Sequence, residues 1–446
     1  MPSSNPVADI FKIPELKRRI LFTLGILAAY RIGANIPVPG VNAGALFRFF
    51  AAQQNSLLGF LNVFTGGAMA RLAIFAMGVG PYINASIIMS LLQGAHVIPY
   101  LDRLAKEGQQ GTKQLNQITR YLTLGLAALQ AFGLTFTMSK LTAAGNEPIV
   151  INPSAGWIAL TVLTLTTGSV FIMWLGEQIT ERGIGNGVSL IIFSGIVDRL
   201  PSAIFGLFQQ VRVEQTSLFE ALLIVAFVVV VTGLVVWIET GQRKIPIQYA
   251  KRVVGRKVAG GMSSYLPLKV DQSGVIAVIF AVSLLAMPMT IAQFGRHSPW
   301  AQKLMKLQAN GSWYYELLYA GLIIFFCYFY NSVSFNPADM ADNLRKSGGF
   351  IPGIRPGEAT ERYIDHIMAR ITLGGALFVA AIAVLPDYLR RMMNAPFVFG
   401  GTALLIVVGV GLDTIGQIQS HLIMRHYDGF LKGGGGFKGR WFNVGS

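Results

Sequence analysis

Charged residues are scarce in this sequence. Asp, Glu, Lys and Arg make up 13% of the 446 residues and hydrophobic residues make up 53%, whereas about 25% of the residues of a soluble domain are charged. So few ionisable groups cannot cover a surface that faces water, which excludes an ordinary soluble enzyme and a disordered chain. The single cysteine, Cys327, excludes a scaffold of intrachain disulfides.

Catalytic and cofactor-binding motifs are also missing. The sequence has no GxxxxGK(S/T) phosphate cradle and no HExxH metal motif, and its five histidines are scattered. The apolar runs carry almost no ionisable residue, although proton relays and ion-coupled carriers need charged groups at membrane depth. The sequence therefore predicts no enzymatic activity, no metal and no cofactor, and it disfavours ion-coupled transport. Any energy for work must come from a partner or a gradient.

What the sequence does contain is a series of apolar runs. A transmembrane helix needs about 20 mostly apolar residues. Ten runs approach this length, and we expect the fifth to extend through Leu200–Phe208. The runs are Ile20–Ala34, Leu72–Gln93, Tyr121–Met138, Trp157–Gly176, Val188–Val197, Leu218–Ile238, Val275–Ile291, Leu317–Ser334, Ile371–Leu385 and Phe397–Leu412.

The basic residues predict the orientation of these spans. With ten spans, both termini lie on the same side of the membrane. Of the 36 Lys and Arg residues, 25 fall in the termini and loops of that side and 10 on the opposite side. The positive-inside rule therefore places both termini in the cytoplasm.

Ten spans also permit a division into two halves of five. Since five is odd, related halves would be inverted relative to each other, with a pathway between them; the parity permits this arrangement, although no sequence identity between the halves supports it. The chain is divided into spans one to six with a short extra segment near 57–71 (1–240), a cytoplasmic loop (241–272), spans seven and eight (273–335), a second cytoplasmic loop (336–370), spans nine and ten (371–418) and a cytoplasmic tail (419–446).

The second apolar run contains a break. Gly66 and Gly67 precede it, and Gly78 and the pair Gly80-Pro81 interrupt it. One interpretation is a short separate helix at Leu57–Arg71 that enters from outside, with the span proper starting near Pro81. Non-helical backbone at membrane depth is tolerated only inside protein or beside a water-filled cavity. The other interpretation, a simple kinked span, is equally compatible with the spacing.

Several long segments resemble the SecY family, whose members are the pore subunits of the bacterial protein-translocation channel. The resemblance runs in the family's order from IPVPG at Ile36–Gly40 to RHYDGFL at Arg425–Leu431. Between them the matching segments are Gly66–Gln93, Gly176–Val197, Gln242–Arg252, Tyr265–Ile276, Phe335–Tyr363 and Gly400–Asp413. The resemblance implies an all-α polytopic protein of the bacterial cytoplasmic (inner) membrane, with about ten transmembrane helices in two inverted five-helix halves around a central hourglass pore.

The resemblance also implies a constriction and a closing element in that pore. The constriction would be a ring of aliphatic side chains, which exclude water and ions by dewetting, and Val188 stands in it where isoleucine is common in the family. The ring residues are Ile83, Ile87, Val188, Ile192, Ile279 and Ile406. The closing element, or plug, comprises Phe60, Leu61, Asn62, Val63, Phe64, Thr65, Gly66 and Gly67.

Two further kinds of site follow from the resemblance. A lateral gate between the second and seventh spans would release membrane segments into lipid, with polar contacts from Ser86, Ser90, Gln93 and Ser283. The two cytoplasmic loops would dock the ribosome and the motor ATPase SecA, because clustered cations bind ribosomal RNA phosphates electrostatically. The docking residues are Arg243, Lys244, Lys251, Arg252, Arg256, Lys257 and Arg355.

The implied function is a protein-conducting channel. It would pass unfolded polypeptides across the membrane and release signal sequences and transmembrane segments sideways into lipid, together with small subunits resembling SecE and SecG. The alternative function is a secondary carrier for a neutral solute, with the break near Gly78–Pro81 as its binding site.

Overall fold

The computed structural model covers most of the chain. It describes residues 13–52, 62, 65–95, 98–141, 147–213, 217–249, 252–254, 257–259, 263–294, 299, 313–393 and 401–433.

Helices dominate the described residues. In the N-terminal part they are α1 (Pro14–Ala34), α2 (Ala43–Ala52), α3 (Gly80–Gly94), α4 (Pro99–Lys106), α5 (Gln109–Ser139), α6 (Ala155–Arg182), α7 (Gly187–Val197), α8 (Leu200–Arg212) and α9 (Leu218–Glu239). The remainder comprises β1 (Gln242–Tyr249), β2 (Arg252–Val254), β3 (Lys257–Ala259), β4 (Ser263–Lys269), α10 (Gly274–Phe294), α11 (Trp313–Ser334), α12 (Pro337–Lys346), β5 (Gly349–Phe350), α13 (Glu358–Met393) and α14 (Gly401–Gly433).

Each predicted apolar run overlaps a helix, and the extended fifth run overlaps both α7 and α8. Seven helical segments in the described part are long and apolar enough to cross a membrane alone: α5, α6, α7 with α8, α9, α11, α13 and α14. The remaining three are α1, which begins with a polar turn, the apolar first part of α10 (Gly274–Pro288), and α3, which has 15 residues. The prediction of an all-α polytopic membrane protein is confirmed.

The second span is shorter than its apolar run because its first part is not helical. Residues 74–79 form turns, and α3 begins only at Gly80, with Pro81 in its first turn. Proline is tolerated there because the first backbone N–H groups of a helix lack intrahelical partners. The break at Gly78–Pro81 is therefore a change of backbone conformation rather than a kink.

Local signals start several helices where the chain enters them. Asn186 caps α7, because its side-chain oxygen accepts hydrogen bonds from the backbone N–H groups of Val188 and Ser189. Ser217 and Glu220 form a capping box at the start of α9. These caps define the N-terminal ends of α7 and α9, the last span of the first half and the first span of the second half.

The two halves of the chain pack in the same way. In the first half, α5 contacts α3 and α6, α6 contacts α7, and α1 contacts α6 and α7. In the second half, α11 contacts α10 and α13, α13 contacts α14, and α9 contacts α13 and α14. Each of these contacts in one half has a counterpart in the other, so α1, α3, α5, α6 and α7 correspond to α9, α10, α11, α13 and α14. With an odd number of spans in each, the halves are inverted.

The halves meet along two seams. On the first seam, α10 contacts α3 and α5, and α11 contacts α3. On the second seam, α14 contacts α7, and α8 contacts α9, where the chain passes from one half to the other. The space between the two seams is the central axis of the molecule.

A small sheet outside the spans is a feature that the sequence analysis missed. Strand β1 pairs antiparallel with β4 from Gln242 to Gln248, and β5 pairs with β1 at Gln248 and Tyr249. Ile245, Ile247 and Leu268 of this sheet pack on Leu344 of α12 and Ile364 of α13 in one apolar cluster. The two predicted loops 241–272 and 336–370 are therefore one unit, here called the platform.

The contact between α6 and α7 supplies a test of the packing. A Cβ atom at Gly187 would overlap the carbonyl oxygen of Gly176, whereas a Cβ at Gly206 in α8 would meet nothing within 4 Å. We expect Gly187→Ala to lower stability by about 1–3 kcal/mol, since backbone must move, and Gly206→Ala to leave stability unchanged or raise it by up to about 1 kcal/mol. Thermal unfolding of the detergent-purified protein measures both; equal effects would contradict the close approach.

Candidate functional site

The six predicted ring residues lie in or against one apolar cluster where the two halves meet. Ile83 and Ile87 lie on α3, Val188 and Ile192 on α7, and the last two, Ile279 and Ile406, on α10 and α14. Five of them are buried in one apolar cluster, and Val188 is partly buried against it. Helices α3 and α7 of the first half correspond to α10 and α14 of the second half, so the predicted constriction takes its residues from equivalent helices of the two halves.

A cavity lies against one face of this constriction. It has a volume of about 370 Å³, and four ring residues form its apolar end: Ile83, Val188, Ile192 and Ile279. Ile276 and Phe280 of α10 and Tyr330 of α11 also line it. The rest of the wall is mostly polar and comes from α3, α5, α6, α7 and the chain before α7. The polar wall includes Ser86, Ser90, Asn116, Thr119, Arg120, Glu177, Thr180, Glu181 and Asn186. The cavity is thus a polar funnel that ends at an aliphatic floor.

An ion pair in the wall of the funnel joins two helices. Arg120 Nε of α5 lies 2.8 Å from Glu177 Oε1 of α6. This ion pair was not predicted from the sequence. Both residues lie at the ends of apolar runs, which indicates that they are near the same membrane surface. Because they are 57 residues apart in the chain, the sequence does not show that they pair.

The described residues of the predicted plug lie near the C-terminal end of α7, at Gly195, whereas Val188 and Ile192 nearer its N-terminus line the cavity. Asn62 and Thr65 are buried, and the Tyr30 hydroxyl of α1 donates to the Thr65 carbonyl over 3.3 Å. Gly66 and Gly67 adopt φ angles of 61° and 85°, a region that favours glycine. Of the segment expected to be helical, residues 65–71 form turns with one 3-10 turn at Met69–Arg71. The predicted plug residues Phe60, Leu61, Val63 and Phe64 lie outside the described residues.

The predicted gate helices are in contact. Helix α3 packs on α10 along the first seam, and at its C-terminal end a Cβ on Gly94 would lie 2.7 Å from the ring of Phe329 in α11. Ser86 and Ser90 line the funnel, whereas Gln93 and Ser283 are half-buried. The seam therefore runs beside the funnel, with small or polar side chains on its inner edge.

The described basic residues of the platform are exposed. Arg243 and Lys244 lie on β1, and Arg355 lies in the turn after β5, where its carbonyl oxygen accepts from the Thr360 hydroxyl over 2.9 Å. Lys251 and Arg256 lie outside the described residues. Arg252 and Lys257 belong to the short hairpin β2–β3, whose backbone alone is described.

A buried carboxylate joins the platform to α10. Asp271 Oδ1 accepts from the Gly274 amide and from the Ser273 hydroxyl, each over 2.9 Å. Next to it in the chain, Lys269 of β4 forms an ion pair of 4.0 Å with Asp413 of α14. Burial raises the pKa of Asp271, and the hydrogen bonds from Ser273 and Gly274 lower it by less.

Comparison with known proteins agrees with this architecture. The sequence model of the SecY family matches residues 73–415. The chain is 46% identical over 421 residues to protein translocase subunit SecY of Escherichia coli strain K12, covering 94% of each chain. It is 42% identical over 424 residues to the SecY subunit of Aquifex aeolicus strain VF5, covering 95% of this chain and 98% of that one.

Solved structures share the fold. The structure of a protein-conducting channel superposes with a TM-score of 0.63 at 18% identity, covering 97% of this chain and 100% of that one. Sec61 from a canine ribosome-channel complex of the endoplasmic reticulum superposes with a TM-score of 0.57 at 16% identity, with the same coverage.

Fold, pore and relatives together define a multi-pass membrane channel that conducts proteins and is not an enzyme. The chain belongs to the SecY family. The alternative prediction, a secondary carrier for a neutral solute, is not supported by these relatives.

The raised pKa of Asp271 predicts a dependence of stability on pH. An unfolded aspartate titrates near about 3.9, and burial favours the protonated form in the folded state. Stability should therefore fall as pH rises from about 4 through the higher folded pKa. We expect Asp271→Asn, which is neutral and keeps the accepting oxygen, to remove this fall.

The matched variant Asp271→Ala loses the accepting oxygen as well. It should unfold more easily than Asp271→Asn by about 1 kcal/mol, the value of a helix-capping bond. Thermal unfolding in detergent between pH 4 and 8 measures both effects. An unchanged pH profile in Asp271→Asn would show that another group is responsible.

Proposed function

We propose that the aliphatic constriction is the seal of the channel and also the opening through which an unfolded polypeptide passes. The observation that carries this proposal is the position of the ring between a polar funnel and the buried plug residues. Branched apolar side chains form no hydrogen bonds with water or ions, so a narrow ring of them dewets. For the same reason they make no sequence-specific contact with a passing chain, and they can move apart around it.

The plug and the lateral gate give this seal two routes of opening. Displacement of the plug, which includes Asn62 and Thr65, opens the axis for secretion. Separation of α3 from α10 opens the first seam toward lipid, so that signal sequences and transmembrane segments leave sideways. The small side chains of Ser86 and Ser90 at this seam support the proposal, because they leave few bulky contacts to break. Gln93 and Ser283 complete the polar edge.

The platform is proposed as the docking surface for the source of energy. It carries exposed Arg243, Lys244 and Arg355, and exposed cations bind RNA phosphates and acidic protein surfaces chiefly by electrostatics. We infer that ribosomes and the motor ATPase SecA bind here. The platform then lies on the cytoplasmic side of a bacterial membrane, and both termini lie on that same side. Small membrane subunits resembling SecE and SecG complete the assembly.

The seal is tested by placing a polar group in the ring. Ile192 is 1% exposed and lies at the end of the funnel, so Ile192→Asn should hold water in the constriction. We expect a several-fold increase in the passive leak of small ions through reconstituted vesicles. Ile192→Val, which removes only one methylene group, should stay sealed.

The control for the polar substitution lies on the outer surface. Val229 of α9 is 65% exposed, and Val229→Asn introduces the same group away from the axis. A leak as large in Val229→Asn as in Ile192→Asn would contradict the assignment of the ring.

The docking surface is tested by reversing one charge. Arg355→Glu should reduce protein translocation several-fold and make the remaining binding of SecA or ribosomes less sensitive to salt, since a cation that contacts anionic groups is lost. The matched control is Arg362→Glu, the same charge change at a residue that pairs with Glu358 within α13. Both variants should insert into membranes normally. Equal losses of translocation in the two variants would point to net charge, not to a contact at Arg355.

A further inference from the structure

Two arginines contact the backbone of the plug. The described part of this segment, residues 62 and 65–71, is here called the plug turn. Arg31 Nη1 of α1 donates to the Gly66 carbonyl over 3.3 Å, and Arg199 Nη2 donates to the Asn62 carbonyl over 3.1 Å. Arg199 lies between α7 and α8. The plug turn is therefore attached by charged donors at two carbonyls of its first part, one from α1 and one from the chain between α7 and α8.

The plug turn is a unit, so that holding two of its carbonyls holds all of it. The Asn62 carbonyl also accepts from the Gly67 amide over 2.9 Å, and the Asn62 side chain accepts from the Ala70 amide over 3.0 Å. Met69 N–H donates to the Thr65 hydroxyl over 3.3 Å. These internal bonds span the turn from its first described residue to its 3-10 turn.

Arg31 is held in place by α7 and by Asp198, the residue that follows α7. Arg31 Nη2 donates to the Ser194 carbonyl, and Arg31 Nη1 lies 3.3 Å from Asp198 Oδ2. The guanidinium thus has three separate partners: α7, Asp198 and the plug turn. Its planar fork suits such divided contacts, whereas a lysine ammonium would not hold all three in place.

The plug turn has the backbone that this contact needs. A Cβ atom at Gly66 would lie 2.7 Å from Arg31 Nη1 and 2.9 Å from the Gly195 Cα. Since Gly66 also has a positive φ of 61°, any other residue would strain the backbone and push the guanidinium away. Glycine at this position lets the carbonyl reach the arginine.

Among the described residues that interact electrostatically around Arg199, cations outnumber carboxylates. Arg31 and Arg71 both act electrostatically on Arg199, and the carboxylate that acts on it is Asp198. Asp198 also forms the ion pair with Arg31. The Asn62 carbonyl oxygen, which carries a partial negative charge, therefore helps to stabilise the positive charge of Arg199. Such a bond is strong because its donor is charged.

We propose that Arg31 and Arg199 form a latch that holds the plug turn closed. This inference rests on the proposed function only in identifying the turn as part of the plug. Both arginines are positioning residues: they act through backbone carbonyls of Asn62 and Gly66 and leave the aliphatic ring untouched. Opening breaks both bonds, after which water takes the place of the carbonyls.

The test is the accessibility of a buried reporter on the plug turn. Met69 is 9% exposed and packs in an apolar cluster, so in Met69→Cys the thiol reacts with a polar maleimide only when the turn moves. The native cysteine, Cys327, is buried, and its rate is measured in the parent protein. In the intact membrane complex in detergent, we expect Arg199→Gln to raise the alkylation rate of the Met69→Cys protein about tenfold or more.

The matched control removes the same charge elsewhere. Arg212 ends α8 and is exposed, so Arg212→Gln in the same background should leave the rate unchanged. An unchanged rate in Arg199→Gln, or an equal acceleration in Arg212→Gln, overturns the latch. If Arg199→Gln lowers the melting temperature of the complex, Arg199→Lys is tested instead. We expect it to raise the alkylation rate above that of the parent but less than tenfold. A rate equal to that of the parent overturns the latch.

The alkylation rate does not depend on transport. A failed latch test with normal translocation by the unsubstituted protein refutes the latch alone. Loss of the proposed function would instead show as an unsubstituted protein that conducts no polypeptide, whatever the reactivity of the reporter.

Discussion

The structure depends on one constraint, that a backbone at membrane depth must find hydrogen-bond partners in protein. Residues 74–79 are not helical, yet backbone groups at the start of this segment are hydrogen-bonded. The Ile74 amide donates to the Ile36 carbonyl, and the Val38 amide donates to the Leu72 carbonyl, each over 3.0 Å. The segment after α1 thus acts as a short partner strand for this turn. Gly168 of α6 lets the Ile74 carbonyl approach, because a Cβ there would overlap it. The shortened α3 can therefore start inside the molecule.

Because α3 starts inside the molecule, the predicted ring residues Ile83 and Ile87 lie within about its first two turns. Helix α3 and its counterpart α10 face each other across the first seam, and α7 and α14 do so across the second. The ring residues all lie on these four helices, so separating either seam widens the ring without unfolding a helix. One inverted arrangement thus explains both an opening along the axis and an opening to the side.

Local patterns predicted the helices, while pairings between distant residues escaped prediction. The apolar runs and the Gly80-Pro81 break were readable because hydropathy and backbone propensity act over a few residues. The pairing of β1 with β5 joins residues about a hundred positions apart, and β5 has only two residues. The contacts of Arg31 and Arg199 with the plug turn were not predicted, because the accepting groups there are backbone carbonyls, which carry no sequence signal. The ring positions came from the family resemblance, since aliphatic residues at helical spacing occur in every span.

The platform and the pore are mechanically continuous. Strand β4 runs into Asp271, whose carboxylate caps α10, and α10 carries Ile279 of the ring. Lys269 of the same strand pairs with Asp413 of α14, one and a half to two turns beyond Ile406. The platform therefore reaches the two helices of the second half that carry predicted ring residues, while both arginines of the proposed latch lie in the first half. The proposed docking and the proposed closure thus involve different halves, which meet at the seams.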